Sequence, residues 1–379
     1  MSSTKIEITR REFVAGAAAT MAAGGPLGAL AQTAEKDKEA EKPPREMRLA
    51  MIGMQGHYNY VADAVRDIPN CRLEAIARST PDEKIEKAKE KRPWIQDAKV
   101  YDDYRTMLDE VKPDIVGVFM PIARMGEGCI EAVRRGCHVA SEKPLASSLD
   151  ELHRLREERD KAGVRITMFL IMRMGPEWIA ARRAVRAGLI GEPVLMSAQK
   201  SYRWYDGERP DYYRKRATYG GTIPWVAIHS IDLIRYVTGL EYAGVTARHA
   251  VKVHRDYPEC EDIASMLFEM KNGAEATVTI DYLRPSKAPS HGDDRLRVVG
   301  SKGIVEVRSA KQVFCEIITE NEGPRELPRP DRFRPVLADF VDSLREGKPH
   351  IMAAEDPFVA TEVAIRAREA ADTRKTIAM

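Results

Sequence analysis

The stretch Gly136-Cys137-His138-Val139-Ala140-Ser141-Glu142-Lys143-Pro144 reads as a short strand that leaves an α/β sheet and ends in a charged Glu-Lys-Pro step. Proline fixes its own φ and biases the residue before it toward extended geometry. Lys143 is therefore held at a strand's carboxyl end, the edge at which open α/β sheets bind their ligands. A lysine there can donate hydrogen bonds or shuttle a proton. The competing reading is an ordinary exposed ion pair at a strand end.

Outward from this stretch, strands alternate with helices. Residues 48–53 form a short apolar strand ending in glycine, 60–67 a helix, 72–77 a strand and 81–91 a helix. Residues 103–111 are helical, 114–119 make a buried-type strand, and the helix 127–135 feeds the opening strand. A helix over 148–162 capped by Gly163 precedes the strand 165–170. This alternation predicts a parallel, doubly wound sheet. After about residue 172 the pattern changes. A helix over 177–187 leads into extended segments at 194–202, 243–254, 264–270, 274–283, 295–299, 303–307 and 313–318, with a hairpin signal at Asn272-Gly273. Helices are expected at 224–237, 336–345 and 356–372. The fold class is α/β: an N-terminal Rossmann doubly wound sheet followed by an α+β domain with an open, largely antiparallel sheet.

At 379 residues the chain has room for two domains. Hydrophobic content of 44% and charged content of 31% are those of a soluble globular protein. A net charge of +2 gives no electrostatic case for a nucleic-acid partner, and no RNA or DNA motif supports one. The cysteines Cys71, Cys129, Cys137, Cys260 and Cys315 form no CxxC pair and no Cys/His metal spacing, so free thiols and no metal are expected.

Thr9-Arg10-Arg11-Glu12-Phe13-Val14 and the Ala/Gly-rich run after it, ending in Ala29-Leu30-Ala31, resemble a twin-arginine export signal cleaved after Ala31. Gly24, Gly25, Pro26 and Gly28 break the run and make it a poor spanning helix. The expected organisation is a signal at 1–31, a linker at 32–46, a nucleotide-binding domain at 47–171, a substrate and oligomerisation domain at 172–355 and a C-terminal helix at 356–379. The expected location is periplasmic or otherwise exported, with no stable membrane insertion once the signal is removed. This route carries folded proteins, so a cofactor can be bound before crossing.

The turn after the first strand, Gly53-Met54-Gln55-Gly56-His57-Tyr58-Asn59, stands where a dinucleotide pyrophosphate meets backbone N–H groups and a helix N-terminus. It departs from GxGxxG, since Gln55 holds the second glycine's place and Tyr58 or Asn59 the third's. The second strand ends in Arg78-Ser79-Thr80 rather than in an acid. Arg78 offers a partner to a 2′-phosphate, which leans the cofactor toward NADP, or else it is a solvated loop arginine.

Together these residues resemble the glucose–fructose oxidoreductase / inositol dehydrogenase / MocA (Gfo/Idh/MocA) family. The resemblance rests on Ile52 to Tyr58, Gly136 to Pro144, Phe169-Leu170-Ile171-Met172-Arg173, Ala187 to Pro193, and the run from Gly220-Gly221 through His229 to Asp232. It implies hydride transfer between NAD(P) and a hydroxyl carbon of a sugar or polyol, and self-association as a dimer or tetramer through the open sheet. Some members of the family instead eliminate or hydrolyse a glycosidic bond through transient oxidation, and a non-catalytic sugar- or nucleotide-binding relative is a further reading. The resemblance makes Lys143 the active-site lysine and His229 its acid/base or hydroxyl-binding partner. It puts Glu142 on Lys143 or the nicotinamide ribose, and Arg173 near the cofactor or in a strand-end salt bridge. Asp232 either orients His229 or ties its helix down.

The family's Asp four residues before the histidine is Trp225 here, an indole that can stack on a sugar or pack in the core. Pro121 is kept from the family's Pro-Asn…His segment, while Ile122 and Met125 replace its polar residues. Tyr202, Arg203, Trp204, Tyr205, Tyr212, Tyr213, Arg214, Lys215 and Arg216 form an aromatic and cationic cluster. It suits a carbohydrate, with Trp204 and Arg214 as candidate contacts, and equally suits an inter-subunit loop.

Overall fold

A computed structural model describes residues 44–204, 209–331 and 334–379. The segment read as an export signal, most of the expected linker and Tyr205 lie outside the described residues. No helix among the described residues is long and apolar enough to cross a membrane.

The first sheet has six strands: β1 (Met47–Ile52), β2 (Cys71–Ala77), β3 (Lys99–Tyr101), β4 (Ile115–Val118), β5 (His138–Ser141) and β6 (Ile166–Met168). All its neighbours are parallel, in the order β3-β2-β1-β4-β5-β6. Strand order reverses between β1 and β4. That reversal opens a crevice at their carboxyl ends, where a doubly wound sheet takes a dinucleotide. β1 and β4 are apolar along most of their length because helices cover both faces of the sheet.

The expected helix 60–67 is only one α-turn, Asn59–Ala62, followed by a 3₁₀ turn at Ala64–Asp67. Ile68 N–H bonds back to Val65, and Asn70 takes a left-handed φ of 48° to swing the chain into β2. The expected helix 81–91 shortens to Ile85–Glu90, because the Glu83 carboxylate turns back to accept from Ser79 N–H at 2.7 Å. The helix Leu149–Ala162 matches expectation, with Ser148 accepting from Glu151 N–H at its start and Gly163 in left-handed geometry at its end.

The second sheet has nine strands: β7 (Pro193–Arg203), β8 (Tyr242–Ala250), β9 (Ile263–Met270), β10 (Glu275–Arg284), β11 (Gly292–Gly300), β12 (Gly303–Ser309), β13 (Val313–Thr319), β14 (Arg325–Glu326) and β15 (Ile377–Ala378). Their order is β14-β13-β12-β11-β7-β10-β9-β8-β15, and only β7 with β10 is parallel. Period-two alternation sorts the two faces. Ala264, Met266, Phe268 and Met270 of β9 are buried on the inward face, while Ser265, Leu267 and Glu269 are exposed.

Arg173 is a correction to the reading that placed it at the cofactor. It is 2% exposed. Its Nε donates to Asp232 at 2.8 Å, and another guanidinium nitrogen donates to Asp356 at 2.6 Å. Both guanidinium edges are thus taken by carboxylates that fix the helices Ile228–Thr238 and Asp356–Thr373. Asp232 serves this anchor, the structural half of its expected role. Removing one member of a buried ion network costs about 3–5 kcal/mol. Arg173→Leu is therefore expected to lower the thermal unfolding midpoint sharply while leaving nucleotide affinity in the folded fraction unchanged. Weakened nucleotide binding with normal stability would place Arg173 at the cofactor after all.

Candidate active site

The glycine turn is built into the crevice by its neighbours. Gly53 N–H donates to Ala77 at 2.8 Å and Gln55 N–H to Phe119 at 2.9 Å, which ties the turn to the ends of β2 and β4. Gly53 has φ +77°, and a Cβ there would lie 2.3 Å from the Phe119 carbonyl oxygen. Gly56 has φ +59°, and its Cβ would lie 2.9 Å from a Glu142 oxygen. Only glycine lets the backbone take this path, and that path leaves room for a ligand to approach the chain closely. The N–H groups of His57, Tyr60, Val61 and Ala62 are already bonded, whereas those of Gly56, Tyr58 and Asn59 have no partner among the described residues and are the ones open to an anion. The residues present therefore fit a dinucleotide pyrophosphate, in spite of the departures at Gln55 and Tyr58.

On the outer side of the turn lies a cleft of about 300 Å³ lined by Met54, Gln55, Tyr58 and Glu83. Glu83 accepts from Met54 N–H at 2.8 Å, Gln55 Nε2 at 3.3 Å and the Ser79 hydroxyl at 2.7 Å. Arg78 is turned away from this cleft. Its guanidinium donates to Glu86, to Asp102 at 3.1 Å and to the Glu83 carbonyl. The expected arginine for a 2′-phosphate is thus already held by acids.

On the inner side lies a cavity of about 630 Å³ whose lining includes Gln55, Gly56, His57, Lys143, Trp225 and His229. Gln55 lines both cavities, so a ligand lying along the turn reaches each of them. Glu142 organises the inner one. It is 1% exposed and accepts from His57 N–H at 2.9 Å, His57 Nδ1 at 2.7 Å and Lys143 N–H at 2.9 Å. Burial opposes its ionisation, but Lys143 and His57 prevail and hold its pKa below the usual carboxylate value. The ionised acceptor fixes the proton of His57 on Nδ1.

Lys143 is 3% exposed. Its Nζ donates to the Trp225 carbonyl at 2.8 Å, lies 3.1 Å from the centroid of the Trp225 ring and stands 4.0 Å from Glu142. Burial lowers its pKa to about 7, with Glu142 opposing the shift and Lys200 adding to it. The expected helix 224–237 opens with a π turn, Ile223–Ala227, before Ile228–Thr238, so Trp225 and His229 do not share a regular helical face. Both still reach the cavity. His229 is buried, and its Nδ1 has no hydrogen-bond partner among the described residues. Burial and the neighbouring Lys200, Lys143 and His57 hold its pKa well below the ordinary histidine value, so it is a neutral imidazole.

The structure thus brings Gln55, Gly56, His57, Lys143, Trp225 and His229 together, with Glu142 behind them and Gly53, Ser79 and Pro121 buried near the strand ends. It does not bring Arg78, Arg173, Trp204 or Arg214 into the cavity lining. Trp204 stacks on His254 at 3.7 Å between ring centroids. Arg214 donates to the Asp256 carbonyl at 2.8 Å and covers the Tyr257 ring. Sequence reasoning missed Glu83, Lys200, Arg209 and Asp294. Lys200 carried a signal: it falls on the inward face of β7 with Met196 and Ala198, a lysine where an apolar residue is due. It pairs at 2.9 Å with Asp294, directly opposite on β11.

Residues 47–170 match the oxidoreductase family with an NAD-binding Rossmann fold, and residues 178–306 match the GFO/IDH/MocA C-terminal domain. The chain belongs to the Gfo/Idh/MocA oxidoreductase family. Myo-inositol 2-dehydrogenase of Thermotoga maritima is 25% identical over 87% of this chain and 98% of its own length. D-glucoside 3-dehydrogenase of Escherichia coli is 25% identical over 86% of this chain and 96% of its own. A solved structure of a provisionally named oxidoreductase from Thermotoga maritima superposes with a TM-score of 0.81 at 35% identity, over 88% of this chain and all of that one.

Gly53→Ala forces a Cβ against the Phe119 carbonyl, which as backbone cannot yield, at a φ that alanine avoids. The expected outcome is a loss of about 1–3 kcal/mol of stability together with loss of nicotinamide nucleotide binding, read by thermal unfolding and by titration.

Proposed function

We propose that this protein is a dehydrogenase that oxidises a hydroxyl carbon of a sugar, polyol or glycoside, using NAD held along the turn Gly53–Tyr58. The single observation that carries the reading is Lys143, a buried amine with a pKa near 7, enclosed with a neutral histidine beside a dinucleotide-type crevice. The family names of the inositol and glucoside dehydrogenases support the substrate class.

The glycine path at Gly53 and Gly56 and the N–H groups of Gly56, Tyr58 and Asn59 would hold the pyrophosphate, with Gln55 between the two cavities and Glu142 and His57 bounding the reactive end. When bound, the nicotinamide supplies the hydride acceptor. Lys143 in its neutral form takes the proton of the reacting hydroxyl, which must leave as hydride departs. His229, neutral and unpaired at Nδ1, orients that hydroxyl or passes its proton on. Trp225 carries no exchangeable carboxyl. Its ring instead faces the lysine ammonium, which stabilises the protonated state formed during oxidation. The organisation expected from the sequence, with an N-terminal export signal, implies loading of the nucleotide before transport. The exposed Leu195, Leu267 and Phe314 of the second sheet support self-association, which light scattering would read.

The test is formation of reduced nucleotide and a keto product from sugars and polyols. Lys143→Ala is expected to lower kcat about 10²–10⁴-fold without loss of nucleotide binding. Because the amine must be neutral, kcat/KM for oxidation is expected to rise with pH through about 7. Lys200 depresses the Lys143 pKa, so Lys200→Met is expected to move that midpoint upward. Full turnover by Lys143→Ala, or a cleaved glycoside with no net reduction of nucleotide, would end the dehydrogenase reading.

NAD is preferred over NADP in this proposal. A 2′-phosphate near Arg78 would meet Glu83, Glu86 and Asp102, which already surround the guanidinium. Titration is expected to show tighter binding of NAD, and the opposite order would restore Arg78 as a phosphate ligand.

A further inference from the structure

We infer that the substrate carries a carboxylate, as a uronic or aldonic acid does, and that Arg209 receives it. The inference rests on the dehydrogenase reading above and narrows its substrate class.

Arg209 is 7% exposed and lines the same cavity as Lys143 and His229. Its guanidinium lies 4.1 Å from the ring centroids of both Trp204 and Tyr282, and 5.0 Å from that of Tyr213. With aromatic rings this close, its remaining bonding capacity lies in the plane of its N–H donors. The guanidinium shares a hydrogen bond with the Tyr282 hydroxyl, while the buried Nε has no hydrogen-bond partner among the described residues. No carboxylate pairs with Arg209 among the described residues.

A guanidinium is charged at every pH the protein meets, and a charged group is almost never buried unpaired. The other deeply buried arginines obey that rule. Arg173 has Asp232 and Asp356, and Arg159 has Asp160 and Glu355. The acids around the cavity are already engaged elsewhere: Asp294 by Lys200, and Glu142 by His57 and Lys143. Among the described residues Arg209 is therefore the cavity's cation without a carboxylate partner. Its planar edge matches the two oxygens of a carboxylate in a bidentate pair. The same edge can pair with a phosphate, but the single charge of a carboxylate matches the single guanidinium, whereas a phosphate dianion brings a second charge. A cation held only to pack against aromatic rings would leave its buried Nε–H unpaired, whereas a substrate carboxylate pairs it.

The experiment uses the full chain with its nicotinamide nucleotide. It compares hexoses with the uronic acids and 6-phosphates of the same ring stereochemistry, and aldoses with their aldonic acids. Turnover gives kcat/KM, and quenching of tryptophan fluorescence gives binding independently, since Trp204 lies against Arg209. The expected result is a 10- to 100-fold advantage for an acid over its neutral counterpart. Arg209→Gln is expected to abolish that advantage at unchanged nucleotide affinity, and Arg209→Lys to keep part of it. The comparison within the unmutated protein stands even if a variant fails to fold. A preference for neutral sugars or for 6-phosphates, or an equal loss on acid and neutral substrates in Arg209→Gln, would overturn the inference and leave the dehydrogenase reading intact. Absence of nucleotide binding would sink that reading instead, and the fluorescence titration would still decide whether an acid binds.

Discussion

Glu142 is almost completely buried, and its two oxygens are taken by three donors: the backbone and ring of His57, and the backbone of Lys143. Leaving such a carboxylate unpaired in the interior would cost several kcal/mol. The glycine turn and the end of β5 are therefore locked to each other. His57 must present its backbone and Nδ1 to Glu142, which sets the path of the turn. Lys143, one residue on, has its ammonium delivered into the cavity rather than to solvent. Gly56 follows from the same contact, since any side chain there would collide with the carboxylate that holds the turn.

Within that frame the cavity's bases regulate one another. Lys143, Lys200 and His229 share one enclosure, where protonated Lys200 makes protonation of Lys143 more costly and both lysines make that of His229 more costly. Lys200 keeps its partner Asp294, while Lys143 is left farther from Glu142, at 4.0 Å. The amine nearest the glycine turn is thus the less closely paired of the two. Trp225 acts in the opposite sense, because its carbonyl and its ring both favour the ammonium. The indole at this position carries no proton and instead offers the lysine ammonium a surface that steadies its charge.

The fold was legible because its signals are local. Alternating apolar strands and helices fix a parallel sheet, the Asn272-Gly273 turn fixes the β9–β10 hairpin, and Ser148 and Gly163 mark one helix at both ends. Lys143, His57 and His229 were legible because they sit in or beside recognisable turns. Arg78, Arg173 and Arg214 misled for one physical reason. An arginine's long side chain chooses among acids and carbonyls brought close by the fold, and Asp102, Asp356 and Asp256 are distant in sequence from the residues they hold. Lys200 and Asp294 were obscured by the same non-locality, since their pairing depends on β7 and β11 being neighbours in the sheet. Glu83 is different. It lies only four residues from Ser79, but its role required the helix at residue 81 to start late.

The two sheets divide the chemistry. The first supplies the turn, Glu142 and Lys143, groups that define how a hydride acceptor and a hydroxyl proton are handled. The second and its helices supply His229, the Lys200–Asp294 pair and the Tyr282 wall, groups that define what can lie beside Lys143. Chain segments that build the first group are short and held by backbone bonds among strand ends, so few substitutions there preserve the geometry. Lys200, Tyr282 and Asp294 project from strand faces at a period of two and His229 from a helix, and exchanging one of these side chains leaves the backbone bonds intact. Reaction type is therefore anchored in the backbone of the first sheet, and substrate choice resides in side chains of the second sheet and its connections, with Lys200 on an inward strand face and Arg209 in the loop beyond β7.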